Sequence, residues 1–448
     1  PHSLHLRIRL RSTSSGGVFV SEANAVTLAD IGGVTSTAGG QAYDVTAGGT
    51  ITVGTGGANT TSGSTTLKTT SGSIALGANV GNAAGNTILT SAGNIMQSAG
   101  TVTGAQVTLD SATGVGASTA ARVSTAAGTL AARSTTSGGV FVAEADAVTL
   151  NVLGAANSVT AGNFFNLTAG GTLTVSGAVN SVSSAHTMLT TTVGDISLGA
   201  NVGNATGNAF LTSAGNITQS AGTVTGVTVA LSSATGVGTG IGARINTAAD
   251  TLDAHSTASG GVFIAEANEV TLYPNAAGGN SAAGANVYDL TAGGTITVLG
   301  QTNVFNTGGT NLVATAGSIV LNGAVGNTTG NTTLTSAGSI TANSFGQARG
   351  AQVTLDSATG VGTDASNRVG TRAATLAARS TASGGVFVSE FVDGVTLSGN
   401  NSAAGTAAYD VTSGGAITVS GAVNTATTGN TILTTTAGNI ALGASCLL

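Results

Sequence analysis

Four glutamates, Glu22, Glu144, Glu266 and Glu390, are the most regularly placed ionisable residues of this 448-residue chain. The functional reading of a recurrent carboxylate is one surface-contact spot per long repeat. Acid/base or glycosidic chemistry needs more, namely two carboxylates within a single cleft. These four are 122, 122 and 124 residues apart. In a stack of repeats that separation is ~29 Å, too far for any two to act together. The competing reading is a corner glutamate paired with a recurrent base, Arg133 or Arg379, with His255 in that place in the third copy. Asp110 and Asp356, with Arg122, Arg244 and Arg368, are read in the same two ways. Ser232 stands where the second copy would have that aspartate, a replacement that a required acid would not allow.

Other constellations are weaker. His2, His5, His186 and His255 have no metal-ligand spacing with Cys446, and the acidic nonapeptide of calcium-loaded β-rolls is absent. Lys68, in TTLKTTSG, lacks the glycines of a phosphate-cradling loop. No enzyme activity, cofactor or metal is therefore expected. Asparagines follow glycine at Asn82, Asn86, Asn204, Asn208, Asn327 and Asn331, and Asn180 and Asn424 end GAVN corners. They suit either a saccharide groove or turns that need a left-handed residue and stacked amide bonding, and the turn reading is preferred. Tyr43, Tyr288 and Tyr409, with Phe165 at the equivalent place, are a stacking platform for sugars or, preferably, aromatic plugs of one wide coil.

Composition narrows the partners. Only 28 of 448 residues are Asp, Glu, Lys or Arg, about 6% where a soluble domain has about 25%. The net charge of −6 comes from 17 acids and 11 bases spread thinly, with no basic stripe for nucleic acid. No apolar run nears the roughly 18 residues of a membrane span. Seventy-one glycines, two prolines and one cysteine exclude a disulfide scaffold, and near-absence of cysteine is compatible with export.

Positioning elements follow from the repeats. SGGVFVSEANAVTL at 15–28 returns as SGGVFVAEADAVTL at 137–150, as SGGVFIAEANEVTL from Ser259, and as SGGVFVSEFVDGVTL from Ser383. Within each long repeat an apolar anchor recurs about every 21 residues, for example at Leu28, Val45, Leu67, Leu89, Leu109, Leu130 and Leu150. A second anchor follows six or seven residues later, behind glycine. The pairs expected to build the core are Leu67 and Ile74, Leu89 and Ile95, Leu189 and Ile196, Leu211 and Ile217, Leu312 and Ile319, and Leu334 and Ile340, with Leu109. Alternation as in Thr50-Ile51-Thr52-Val53 gives short strands with aliphatics inward and threonines outward. Such a unit cannot bury its own apolar face, so units must stack. The expectation is an all-β parallel β-helix (β-solenoid), about 21 residues per coil and six coils per long repeat, with a length of ~100 Å at ~4.8 Å per coil.

LTSAGNITQSAGTVTG (211–226), VTLDSATGVG (107–116) and SGGVFVAEADAVTL resemble the repeat regions of filamentous-haemagglutinin-type exoproteins of two-partner secretion, and related autotransporter-like adhesins. The resemblance covers about 12–444. It implies a right-handed parallel β-helix, export, and a surface rod for adhesion or biofilm contact. Residues 1–11 and 445–448 break the pattern, so they are expected to be flanks of one continuous solenoid at 12–444. Its long repeats fall at about 12–133, 134–255, 256–379 and, partially, 380–444. The expected function is a non-catalytic secreted or cell-surface rod whose partners are cell surfaces, glycans or biofilm matrix. The alternative is a self-associating filament or surface-layer subunit. A β-helix carbohydrate-active enzyme and an ice-binding threonine array are more distant.

Overall fold

A computed structural model describes residues 6–31, 35–60, 62–154, 156–180, 184–273, 279–391, 394–425 and 427–443. The described residues form strands and turns, with no helix. They are a β-solenoid of parallel strands stacked turn on turn, divided into two compact units, Pro1–Val227 and Thr228–Leu448.

One turn of the first unit shows the rule. Tyr43–Ala47, Ile51–Val53 and Ala58–Thr60 make three faces in succession, and Thr65–Thr69, Ile74–Leu76 and Val80–Asn82 make the next three. Each strand pairs in parallel with its counterpart one turn on, so Val45 lies against Leu67 and Leu67 against Leu89. On the second face Ile51, Ile74 and Ile95 form a column. The second unit repeats this with Leu290, Leu312, Leu334 and Leu355, and with Ile296, Ile319 and Ile340. Period-2 alternation sends Val, Ile and Leu inward and Thr outward. Glycine is required where a corner meets the turn below. A Cβ on Gly48, Gly170 or Gly293 would lie 1.9, 2.0 or 2.1 Å from the carbonyl oxygen of Ala23, Ala145 or Ala267.

All thirteen core anchors named from the sequence are buried: Leu67, Ile74, Leu89, Ile95, Leu109, Leu189, Ile196, Leu211, Ile217, Leu312, Ile319, Leu334 and Ile340. Each buried aliphatic contributes about 1.5–3 kcal/mol. Ladder bonds between turns satisfy the main chain without charged side chains.

The count of six coils per long repeat is corrected. The column of Val20 runs through Val45, Leu67, Leu89 and Leu109 to Ala132, which is five turns. The next copy of the motif then begins on a different face. Val18 heads the column of Tyr43, Thr65, Thr87, Val107 and Leu130. Its counterpart Val140 instead continues Val26, Ile51, Ile74, Ile95 and Val115. The second unit does the same. Val262 heads Tyr288, Thr310, Thr332, Val353 and Leu376, whereas Val386 continues Val270, Ile296, Ile319, Ile340 and Val361. A long repeat is thus more than five turns and fewer than six, since Val140 continues the second-face column while Leu150 returns to the column of Leu130, with offsets of 19 to 26 residues between paired strands.

Candidate functional site

The glutamates are placed by strand parity. Val140, Val142 and Glu144 share one side of the strand Val140–Glu144, and that side is the core. Glu144 and Glu266 are each 4% exposed and Glu390 is 2%. The Glu144 carboxylate accepts from the Thr125 hydroxyl at 2.6 Å, from the Ala127 N–H at 3.1 Å and from the Ala145 N–H at 3.0 Å. Glu266 accepts from Thr247, Ala249 and Asn268, and Glu390 from Thr371 and Ala373. Burial raises the Glu144 and Glu266 carboxyls above their ordinary range, and these hydrogen bonds oppose the rise. Both sequence expectations are corrected for these three: they face the core, and the donors that hold them are hydroxyls and main-chain N–H groups. Glu22 is half-buried and accepts from the Asn24 N–H at 3.1 Å.

Arg133 and Arg379 pair elsewhere. Arg133 makes a forked contact to Asp110 at 2.7 and 2.6 Å, and Arg379 to Asp356 at 2.8 and 2.5 Å, across adjacent turns in register. That fork holds both guanidinium pKa values above the ordinary one. Between those two copies the same positions are Ser232 and His255, joined at 2.9 Å. With Asp253 on the same strand, these are the residue types of a nucleophilic triad. However, Asp253 Oδ1 stands 3.7 Å from His255 Nδ1, beyond hydrogen-bonding distance, and the His255 and Asp253 side chains are 10% and 1% exposed. The cluster replaces an ion pair by a hydrogen bond.

A second set of arginines spans two turns. Arg244 pairs with Asp289, and Arg368 with Asp410 at 2.9 and 2.7 Å. Phe263 and Phe387 occupy the intervening turn, paired in register with those aspartates. In the first unit the acceptor position is Asn166, and Arg122 donates to the Thr119 and Val142 carbonyls instead, with burial lowering its pKa.

Asparagine stacks line one corner. Asn180, Asn303 and Asn424, at φ of 53°, 58° and 57°, are the only non-glycine residues with positive φ among those described. Their side-chain oxygens accept from the main-chain N–H of Val159, Ala282 and Ala403, each at 3.0 Å. One turn earlier, Asn157, Asn280 and Asn401 do likewise for Ala132, Ala254 and Ala378. One turn later, Asn204 and Asn327 donate to the Asn180 and Asn303 carbonyls. Sequence reading missed Asn157, Asn280, Asn303 and Asn401, although Asn-Ser recurs at 157, 280 and 401. Tyr43, Tyr288, Tyr409 and Phe165 are buried plugs, and the Tyr288 and Tyr409 hydroxyls donate to Asn280 and Asn401 at 2.9 and 2.8 Å. Their burial removes them from any sugar-stacking surface.

His186 packs beside Phe164 with ring centroids 4.9 Å apart. His2, His5 and Cys446 lie outside the described residues. No group of three or more potential metal ligands occurs among the described residues, and no helix among them is long and apolar enough to cross a membrane. Comparison with family models, with curated proteins and with solved structures returns no match.

Proposed function

We propose that this chain is a non-catalytic structural scaffold of the adhesin type, secreted or held at a cell surface, whose outer faces contact cells, glycans or biofilm matrix. The observation that carries this reading is how the ionisable side chains are used. Glu144, Glu266 and Glu390 tie neighbouring turns together, and Asp110–Arg133, Asp356–Arg379, Arg244–Asp289 and Arg368–Asp410 do the same. Eleven of the 28 charged side chains join turns in this way, and the outer faces are mainly hydroxyl-bearing. The resemblance to haemagglutinin-type repeats supports the surface placement.

The test is saturable binding of the purified, fluorescently labelled chain to cell monolayers, compared with an unrelated solenoid of similar size. Binding no greater than that control overturns the reading. Ordered polymers in negative-stain images, formed without any cell binding, would replace it with a filament subunit.

A further inference from the structure

The third long repeat departs from its own pattern at one patch of outer surface. Positions 345, 349, 372 and 391 are Phe, Arg, Arg and Phe; the equivalent residues are Ala99, Thr103, Ala126 and Ala145 in the first repeat and Ala221, Thr225, Ala248 and Ala267 in the next. Four changes from small residues to two cations and two aromatics fall within two adjacent turns and the strand beside them. Arg349 and Arg372 face each other in register, Phe391 lies against Gly370 beside Arg372, and Phe345 is on the turn that enters the Arg349 strand.

Arg349 and Arg372 lie directly opposite each other in the register of Gln347–Ser357 and Val369–Ser380. Like charges so placed repel and destabilise the pair unless something anionic joins them. Arg372 is exposed and donates to the Gln347 side chain at 3.1 Å, which holds it against the sheet. Arg349 is half-buried, and its Nε is a buried donor with no acceptor. Burial and the Arg372 charge both lower the Arg349 pKa. Arg368, on the same strand as Arg372, is taken up by Asp410. Glu390, adjacent to Phe391 in sequence, is buried and accepts from Thr371 and Ala373, and Asp393 lies outside the described residues.

Aromatic walls stand at two sides. Phe345, on the turn entering the strand, is 76% exposed, and Phe391 is 55% exposed. Glycine at 370 seats the second ring, because a Cβ there would lie 2.5 Å from Phe391 Cε2. Ser124 and Asn246 occupy the equivalent positions in the earlier repeats. The patch extends ~13 Å along the strands and ~10 Å across the turns.

We propose that Phe345, Arg349, Arg372 and Phe391 form a contact site for a carboxylated polysaccharide, with uronate-type carboxylates on the arginine pair and sugar rings against the phenylalanines. This rests on the adhesive reading and names its ligand class. Guanidinium groups match carboxylates in forked geometry. Two cations with no ion pair among the described residues are too few for a nucleic acid with a phosphate charge every ~1.7 Å, or for an anionic membrane that calls for clusters of about 4–8 bases. Widely spaced single carboxylates on a chain of rings fit both the charge count and the flanking aromatics.

The experiment uses the whole chain over immobilised polygalacturonate by biolayer interferometry, with neutral dextran, duplex DNA and phosphatidylserine vesicles as comparison surfaces. Wild type is expected to bind polygalacturonate with an affinity that falls as salt rises. R349T/R372A restores the residues of the first repeat and should weaken binding at least tenfold. F345A/F391A should weaken it several-fold. Thermal midpoints of both variants should be unchanged or higher, since the arginine change removes a repulsion. Equal polygalacturonate binding by R349T/R372A overturns the proposal, as does stronger arginine-dependent binding to DNA or vesicles. Cell adhesion that persists while polygalacturonate binding is absent sinks this site and leaves the adhesive reading standing. Loss of both sinks both.

Discussion

Replacing Glu144 by alanine tests whether the buried glutamates are structural joints. The Ala127 N–H and the Thr125 hydroxyl both point at this carboxylate from the preceding turn, at 3.1 and 2.6 Å. Alanine leaves both without an acceptor in a site that is 4% exposed. Each unsatisfied buried donor costs about 1–3 kcal/mol, so a local loss of ~3 kcal/mol is the working value. At 1.4 kcal/mol per factor of ten, amides across 123–130 should exchange with solvent roughly a hundredfold faster. Glu144→Gln retains an oxygen for Ala127 and an amide for Thr125 while relieving the burial of charge, so its cost should be within ~1 kcal/mol. Hydrogen exchange read by mass spectrometry is the assay, because a repeat array need not unfold as one unit. The pH dependence has a definite sign. A carboxyl raised above its ordinary 4.5 makes the folded state bind protons more readily than the unfolded one. Its stability term is therefore full below the ordinary pKa and is lost as pH rises through the folded value. Protection factors over 123–130 should fall from mild acid toward neutrality, and Glu144→Gln should flatten that slope. Exchange in Glu144→Ala within threefold of wild type would refute the joint.

Three further outcomes are expected. Arg244→Ala removes the partner of a 2%-exposed Asp289 side chain and should cost about 3–5 kcal/mol. Arg133→Ala, whose contact is 35% and 22% exposed, should cost under about 1 kcal/mol after solvent screening and lose even that in high salt. Chemical denaturation midpoints separate the two. Asn303→Ala loses the acceptor for the Ala282 N–H and the donor to Gly309 and Thr310, and keeps a Cβ at positive φ without the polar side chain that lets asparagine tolerate it. Asn303→Gly loses the same hydrogen bonds without the backbone strain and should be milder by about 1 kcal/mol, as local exchange will report. A fluorophosphonate probe should leave Ser232 unlabelled, because Asp253 does not reach His255 Nδ1. Stoichiometric labelling, read by peptide mass spectrometry, would turn that cluster into a nucleophilic site.

The core anchors were legible because an inward aliphatic behind a glycine corner is the residue pattern that stacking demands. Their phase was not. Val107-Thr108-Leu109 ends a strand of the first face, while Val26-Thr27-Leu28 is a strand of the second. The same tripeptide serves both, so counting V-T-L units merged two columns and hid the change of face. Glutamate burial was readable from parity, since Val140, Val142 and Glu144 share one side; expecting acids at the surface overrode that signal. The Arg244–Asp289 and Arg368–Asp410 pairs are 45 and 42 residues apart. Only a known register brings such residues together.

The extra part of a turn in each long repeat sets the direction in which every recurring residue points. Consecutive copies of the SGGVF motif within a unit begin on different faces, so sequence repetition here is not repetition of a surface. A flat partner meets one copy per approach, whereas a partner that wraps can meet successive copies. Duplication of one long repeat, which is not a whole number of turns, would leave everything beyond it off its original bearing. Lengthening this chain by a single repeat is therefore also a way of re-aiming it.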